Sequence, residues 1–116
     1  MNHLPKVLAS NGYTPSVARI EQQLKTREIR EAPLAEKMAF FESYGTLCGD
    51  AGVEFLDSIL NARRFLGKRE SPELRACAAV ALGKIGNDVA TEALRRSAND
   101  SDVIVRNAVS RAVRGG

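Results

Sequence analysis

The sequence predicts an all-α protein, a short α-solenoid of stacked antiparallel helical hairpins about two and a half repeats long. Three observations carry that prediction. Apolar residues recur at the three-and-four spacing of amphipathic helices. Hydrophobic residues make up 44% of the chain but aromatics only 5%, with no Trp, and such a balance suits close-packed helices better than a β-sandwich, which draws on β-branched and aromatic residues. Finally, the chain repeats itself: residues 33–62 align with 71–100 without a gap. At 116 residues there is room for one domain, and a chain of this size buries roughly two-thirds of its unfolded surface without needing disulfide or metal staples.

Residues 1–14, with Pro5 and Gly12 and only Val7, Leu8 and Ala9 clustered as apolar, form an irregular lead-in; residues 15–116 form the helical repeat domain. Val17, Ile20 and Leu24 fall at i, i+3 and i+7 and predict a first helix over about 15–27, with Pro15 in its first turn. Ala32-Pro33 interrupts the pattern. A second helix over about 33–48 buries Leu34, Met38, Phe41, Phe40 and Tyr44, and Gly49-Asp50 closes it. A third, about 51–64, carries Val53, Leu56, Ile59 and Leu60 on one face. Ser71-Pro72-Glu73 is a strong start signal: an N-cap hydroxyl, a proline whose missing N–H costs nothing at the first position, and an acid at the positive end of the helix dipole. The fourth helix, 72–85, places Leu74, Cys77, Ala78, Ala81, Leu82 and Ile85 inward and stops at Gly86. Asn87-Asp88 turns the chain into a fifth helix over about 89–98, with Ala90, Ala93 and Leu94 inward, and residues 99–102 turn it again into a sixth over 103–113.

The repeat is informative in detail. At a shift of 38, Tyr44-Gly45 meets Leu82-Gly83, Leu47 meets Ile85, Leu56 meets Leu94 and Asn61 meets Asn99. At a shift of 31, Leu74-Arg75 meets Val105-Arg106 and Ala81-Leu82 meets Ala112-Val113, so the third unit is half a hairpin. The difference of seven residues falls at the basic junction 63–70, which separates the first two hairpins by a linker or an extended helix end.

The segment Pro72 to Gly86, followed by a helix and then by Asn99-Asp100-Ser101-Asp102-Val103-Ile104-Val105-Arg106, resembles the short HEAT-like repeats of phycobilisome-lyase-type and bacterial scaffold proteins, an armadillo-like architecture. In that family a hydrophobe-Arg pair opens each first helix and a glycine ends it. The resemblance is closest over 71–114. It is weaker over 33–62, where Glu36-Lys37 takes the hydrophobe-Arg place and Phe40, Phe41 and Tyr44 replace alanines. It implies structural roles for Leu74, Arg75, Leu82, Gly83, Gly86, Leu94, Val105 and Arg106. The two arginines would bond loop acids, with Asp100 and Asp102 as partners. It further implies a bacterial, protein-binding scaffold or regulatory module, or an accessory subunit of a lyase-type enzyme. The residues 15–27 then read as the second helix of an eroded preceding repeat.

Charge and chemistry narrow the function. The formal charge of +3 is unevenly spread, one Lys against five acids over 33–62 but eleven Lys or Arg against six acids over 63–116. Arg63, Arg64, Lys68 and Arg69 around Phe65 and Leu66 either grip phosphate or an acidic partner, or form a solvated loop with an apolar anchor. Arg95 and Arg96 extend the basic surface, giving nucleic-acid or polyanion binding as an alternative to protein binding; Phe65 is the one aromatic of the basic half, so stacking platforms are scarce. His3 stands alone, Cys48 and Cys77 lack a Cys-x-x-Cys spacing, and the acids Glu36, Glu42, Asp50, Glu54 and Asp57 read as the solvated face of amphipathic helices. The glycines sit at helix ends and helix contacts rather than in a phosphate loop. No catalytic, cofactor-binding or metal residue is therefore expected. The apolar runs are far shorter than the ~20 residues that span a bilayer, and reduced thiols with no signal peptide point to the cytoplasm. The last helix is expected to leave Val105, Ala108, Val109 and Ala112 uncovered, a surface for a partner or for self-association. Face to face, the second helices would present Glu54, Asp57, Ser58 and Asn61, then Thr91, Glu92, Arg95 and Arg96, running from acidic to basic.

Overall fold

The computed structural model describes residues 15–24, 26–62 and 70–115, and every regular element among them is helical. In chain order these are α1 (Pro15–Leu24), α2 (Arg27–Arg30), α3 (Leu34–Cys48), a 3₁₀ turn (Gly49–Gly52), α4 (Val53–Leu60), α5 (Pro72–Ile85), α6 (Asp88–Arg95) and α7 (Val103–Gly115). The expected lead-in 1–14 and the basic residues 63–69 lie outside the described residues.

The starts and stops follow local chemistry. The Ser71 hydroxyl accepts from the Leu74 N–H at 3.2 Å, and the Asn87 side chain accepts from the Ala90 N–H at 2.8 Å, each satisfying a donor that the first helical turn leaves orphaned. Gly49 (φ 54°) and Gly86 (φ 69°) end α3 and α5 in the left-handed region that a side chain resists.

Several boundaries differ from the sequence reading; the third helix, expected to reach about residue 64, ends at Leu60, with Asn61 in a turn. The first helix ends at Leu24, and Thr26 opens the separate turn α2, its hydroxyl accepting from the Ile29 N–H at 3.3 Å and donating to the Gln23 carbonyl at 2.7 Å. The start of the third helix is taken by the 3₁₀ turn, where Gly52 is pressed so closely on the Cys48 sulfur and the Tyr44 ring that no Cβ would fit. The fifth helix stops at Arg95, because Ser97 and Ala98 donate to carbonyls three residues back and tighten the chain into a turn. The last helix continues to Gly115.

The first helices α3, α5 and α7 stack in a row with α5 in the middle, the second helices α4 and α6 pack on α5 and on each other, and α1 packs on α3. Helix α5 is therefore covered on several sides: besides the expected inward stripe, Ala76 and Ala79 are buried, as befits a helix that is apolar nearly all round. Close stacking has two visible seats. A Cβ on Gly45 would lie 2.8 Å from the Ala81 carbonyl oxygen, and one on Gly83 2.9 Å from the Ala112 Cβ. These two glycines share a register position at the shift of 38, so the same rule lets α5 approach α3 and α7 approach α5.

One continuous core results. Phe41, Tyr44, Leu56, Leu60, Leu74, Leu82, Leu94, Val105 and Val109 are all essentially inaccessible, each large apolar side chain contributing roughly 1.5–3 kcal/mol by leaving water. Two expectations are corrected here. Leu34 is 45% exposed, since it stands at the very start of α3 before a neighbour reaches it. Val105 and Val109 are buried and Ala108 and Ala112 pack on the core, because α5 covers that stripe of α7. The outward face of α7 instead carries Val103, Ile104 and Val113 among the exposed Arg106, Asn107, Ser110, Arg111 and Arg114.

Candidate functional site

Helices α4 and α6 lie side by side and are tied by polar side chains that cross between them. The Asn61 amide donates to Asp57 Oδ1 at 2.5 Å and to the Ala93 carbonyl at 3.0 Å. The buried Ser97 hydroxyl donates to Asn61 Oδ1. Arg96 closes the seam with an ion pair to Asp57 at 2.9 Å. Near the other end, the Asn87 amide donates to Asp50 Oδ1. Around this seam Glu54, Ser58, Val89, Glu92 and Arg95 are exposed. Of the side chains expected to form the second-helix surface, Asp57, Asn61 and Arg96 thus hold the face together, while Glu54, Glu92 and Arg95 are presented from it.

Among the described residues, the most buried ion pair lies behind that face. Arg75, 3% exposed, donates two guanidinium bonds to the Asp100 carboxylate, at 3.2 and 2.6 Å, and a third from Nε to the Leu60 carbonyl at 3.0 Å. Asp100 also accepts from the Asp102 N–H at 2.9 Å. A bidentate fork of this kind matches the planar guanidinium to both carboxylate oxygens. Arg106 meets the Asp100 residue as well, but through its backbone carbonyl at 2.8 Å rather than through a carboxylate. Asp102 spends its side chain capping α7, accepting from the Ile104 N–H at 2.9 Å.

Lys37 is the basic position that reading for arginines overlooks. It occupies the place of Arg75 at the shift of 38, is 4% exposed, and donates to the Arg30 carbonyl at 3.3 Å and to Glu73 Oε1 at 2.9 Å. The parallel is close: each basic side chain reaches the last carbonyl of the helix preceding its own hairpin, Arg30 for Lys37 and Leu60 for Arg75. Residues up to Arg30 therefore stand to α3 as α4 stands to α5. The signal was present in the register match of Glu36-Lys37 with Leu74-Arg75. Arg30 itself holds Glu70 through both carboxylate oxygens, the second at 3.1 Å, which fastens the far end of the basic linker to α2.

The thiols and the buried tyrosine are poorly suited to nucleophilic work. Burial pushes the Cys48 and Cys77 thiols up to about 11, so the reactive thiolate is scarce at neutral pH. Burial, aided by its bond to the Glu21 carboxylate, raises the Tyr44 hydroxyl far above the usual range. Among the described residues no buried side-chain nitrogen or oxygen lacks a hydrogen-bond partner, and no cluster of three or more His, Cys, Asp or Glu could hold a metal ion. No helix of the described residues is long and apolar enough to cross a membrane. Arg63, Arg64, Lys68 and Arg69 fall outside the described residues.

Stacked helical hairpins sharing one core, with a basic residue and a close-contact glycine recurring in register, define a helical repeat protein of the α-solenoid class. The family model for HEAT repeats matches residues 46–114, and the chain belongs to that family. Comparison with curated proteins and with solved structures finds no match.

Proposed function

We propose that this chain is a protein-interaction module without catalysis of its own, binding another protein through the α4/α6 face. HEAT repeats serve generally as interaction scaffolds. The observation that carries the proposal is the seam of Asp57, Asn61, Ser97 and Arg96: by fixing two helices against each other it presents Glu54, Glu92 and Arg95 as a pre-set array of both signs. A surface ordered in advance loses less freedom on binding, and mixed charges give specificity and orientation more than raw affinity.

A cytoplasmic scaffold or regulatory subunit of a bacterial assembly fits this reading. An accessory role beside a lyase-type enzyme rests on the family resemblance, with no residue that specifically supports it. Self-association through α7 would bring its three arginines against those of a second copy, and the apolar stripe that motivated it is covered by α5.

Affinity capture from the native host tests the proposal, comparing the wild-type chain with the Glu54→Arg/Arg95→Glu variant. A partner retained by the first and lost by the second is the expected result. A partner retained equally by both places the contact elsewhere.

A further inference from the structure

The opposite side of the stack holds a second surface, built from the first helices. A groove of about 400 Å³ runs across α3, α5 and α7, lined by the apolar Met38, Val80 and Ala112 and by the charged Glu42, Lys84 and Arg111. A second depression of about 530 Å³ adjoins it and shares Glu42 and Lys84 as its wall.

The repeat register explains why these residues meet. At the shifts of 38 and 31, Glu42, Val80 and Arg111 occupy one and the same position on three successive first helices, so stacking sets an acid, an apolar side chain and a base in a row across the layer. The row is polarised. Helix α7 contains no acidic residue, and its Arg106, Arg111 and Arg114 are all exposed, as is Lys84 on α5.

We propose that this groove docks a short peptide segment of another protein, one carrying an apolar side chain followed by acidic residues. The apolar side chain seats on Met38, Val80 and Ala112. The carboxylates that follow it meet Arg111 on the α7 side, with Lys84 on the central helix, and Glu42 on the α3 side repels an acid placed there, which fixes the direction of the segment. This surface is separate from the α4/α6 face and does not depend on it.

The test pans random displayed peptides against the full chain and measures binding of the best enriched peptide by fluorescence anisotropy. Enriched sequences are expected to pair an apolar residue with acids on one side of it. Lys84→Glu/Arg111→Glu should weaken that peptide roughly tenfold or more, and Val80→Asp should do the same, while Glu54→Arg/Arg95→Glu leaves it unchanged. Circular dichroism confirms that each variant is folded. The proposal is overturned if panning enriches no such sequence, or if binding survives reversal at Lys84 and Arg111. Single-stranded DNA that binds as tightly as the peptide, and is indifferent to Val80→Asp, would equally overturn it and mark a general polyanion surface.

Discussion

The two complete hairpins follow one register and fill it differently. In α5/α6 the stack is made of small side chains, Ala76, Cys77, Ala78, Ala79 and Ala81, and is locked by the buried Arg75–Asp100 pair. In α3/α4 the same space is filled by Phe41, Tyr44 and Phe55, the last two rings meeting edge to face with centroids 5.3 Å apart, and the basic position is Lys37 paired with a Glu73 side chain that is 51% exposed. What recurs is the seat of a cation near a helix end and of a glycine at a crossing. What varies is how volume is filled, which cores tolerate as long as the total is kept. The HEAT-repeat match begins at residue 46, after the aromatic part of α3.

The sharpest way to break this comparison is to remove both cations. Arg75→Ala takes both guanidinium bonds from the buried Asp100 carboxylate and should cost about 3–5 kcal/mol; Lys37→Ala leaves Glu73 free to meet water and should cost about 1 kcal/mol or less. Urea unfolding of the two variants measures this, and equal losses would show that the hairpins are held alike. A smaller effect separates the glycines. Gly45→Val and Gly83→Val should each cost about 1–3 kcal/mol by overpacking, with Gly45 the worse, because it meets a backbone oxygen where Gly83 meets a methyl group. Thermal melting ranks them, and the reverse order would mean that α7 is fixed more rigidly than α5.

The smallest effect concerns one thiol in each hairpin. Cys48 and Cys77 rise from 9.0 to about 11 on folding, so between those values the unfolded chain has lost protons that the native chain keeps. Stability from this source is complete below about pH 9 and falls as pH rises toward 11. Melting temperatures across that range should decline, and Cys48→Ala and Cys77→Ala should each flatten the decline. A decline untouched by both substitutions would assign it to other groups.

Much of the architecture was legible because repeats state their period twice. The fourth helix carries every start and stop signal in its own sequence, and its bounds of 72–85 are those observed. The final helix misled because its apolar stripe was assigned to the outside. A period gives the face of a helix but not its neighbour, and only stacking shows that Val105 and Val109 turn toward α5. The α4/α6 face was half legible. Asp57, Asn61 and Arg96 were visible as polar residues on one face, but their bonds to each other depend on the approach of α6 to α4, which no local pattern encodes. The groove on the other side needed three helices in register before Glu42, Val80 and Arg111 could be seen as one row.

Asp100 has a consequence for how the molecule opens. Solenoids come apart in steps when each unit touches only its neighbours. Here a single turn residue receives Arg75 from α5 and Arg106 from α7, and Arg75 reaches on to the end of α4. Fraying of the last helix therefore disturbs the clasp at the centre. Amide hydrogens along α7 should exchange with solvent at nearly the free energy of those in α5, one cooperative unit, although α7 stands at the end of the row.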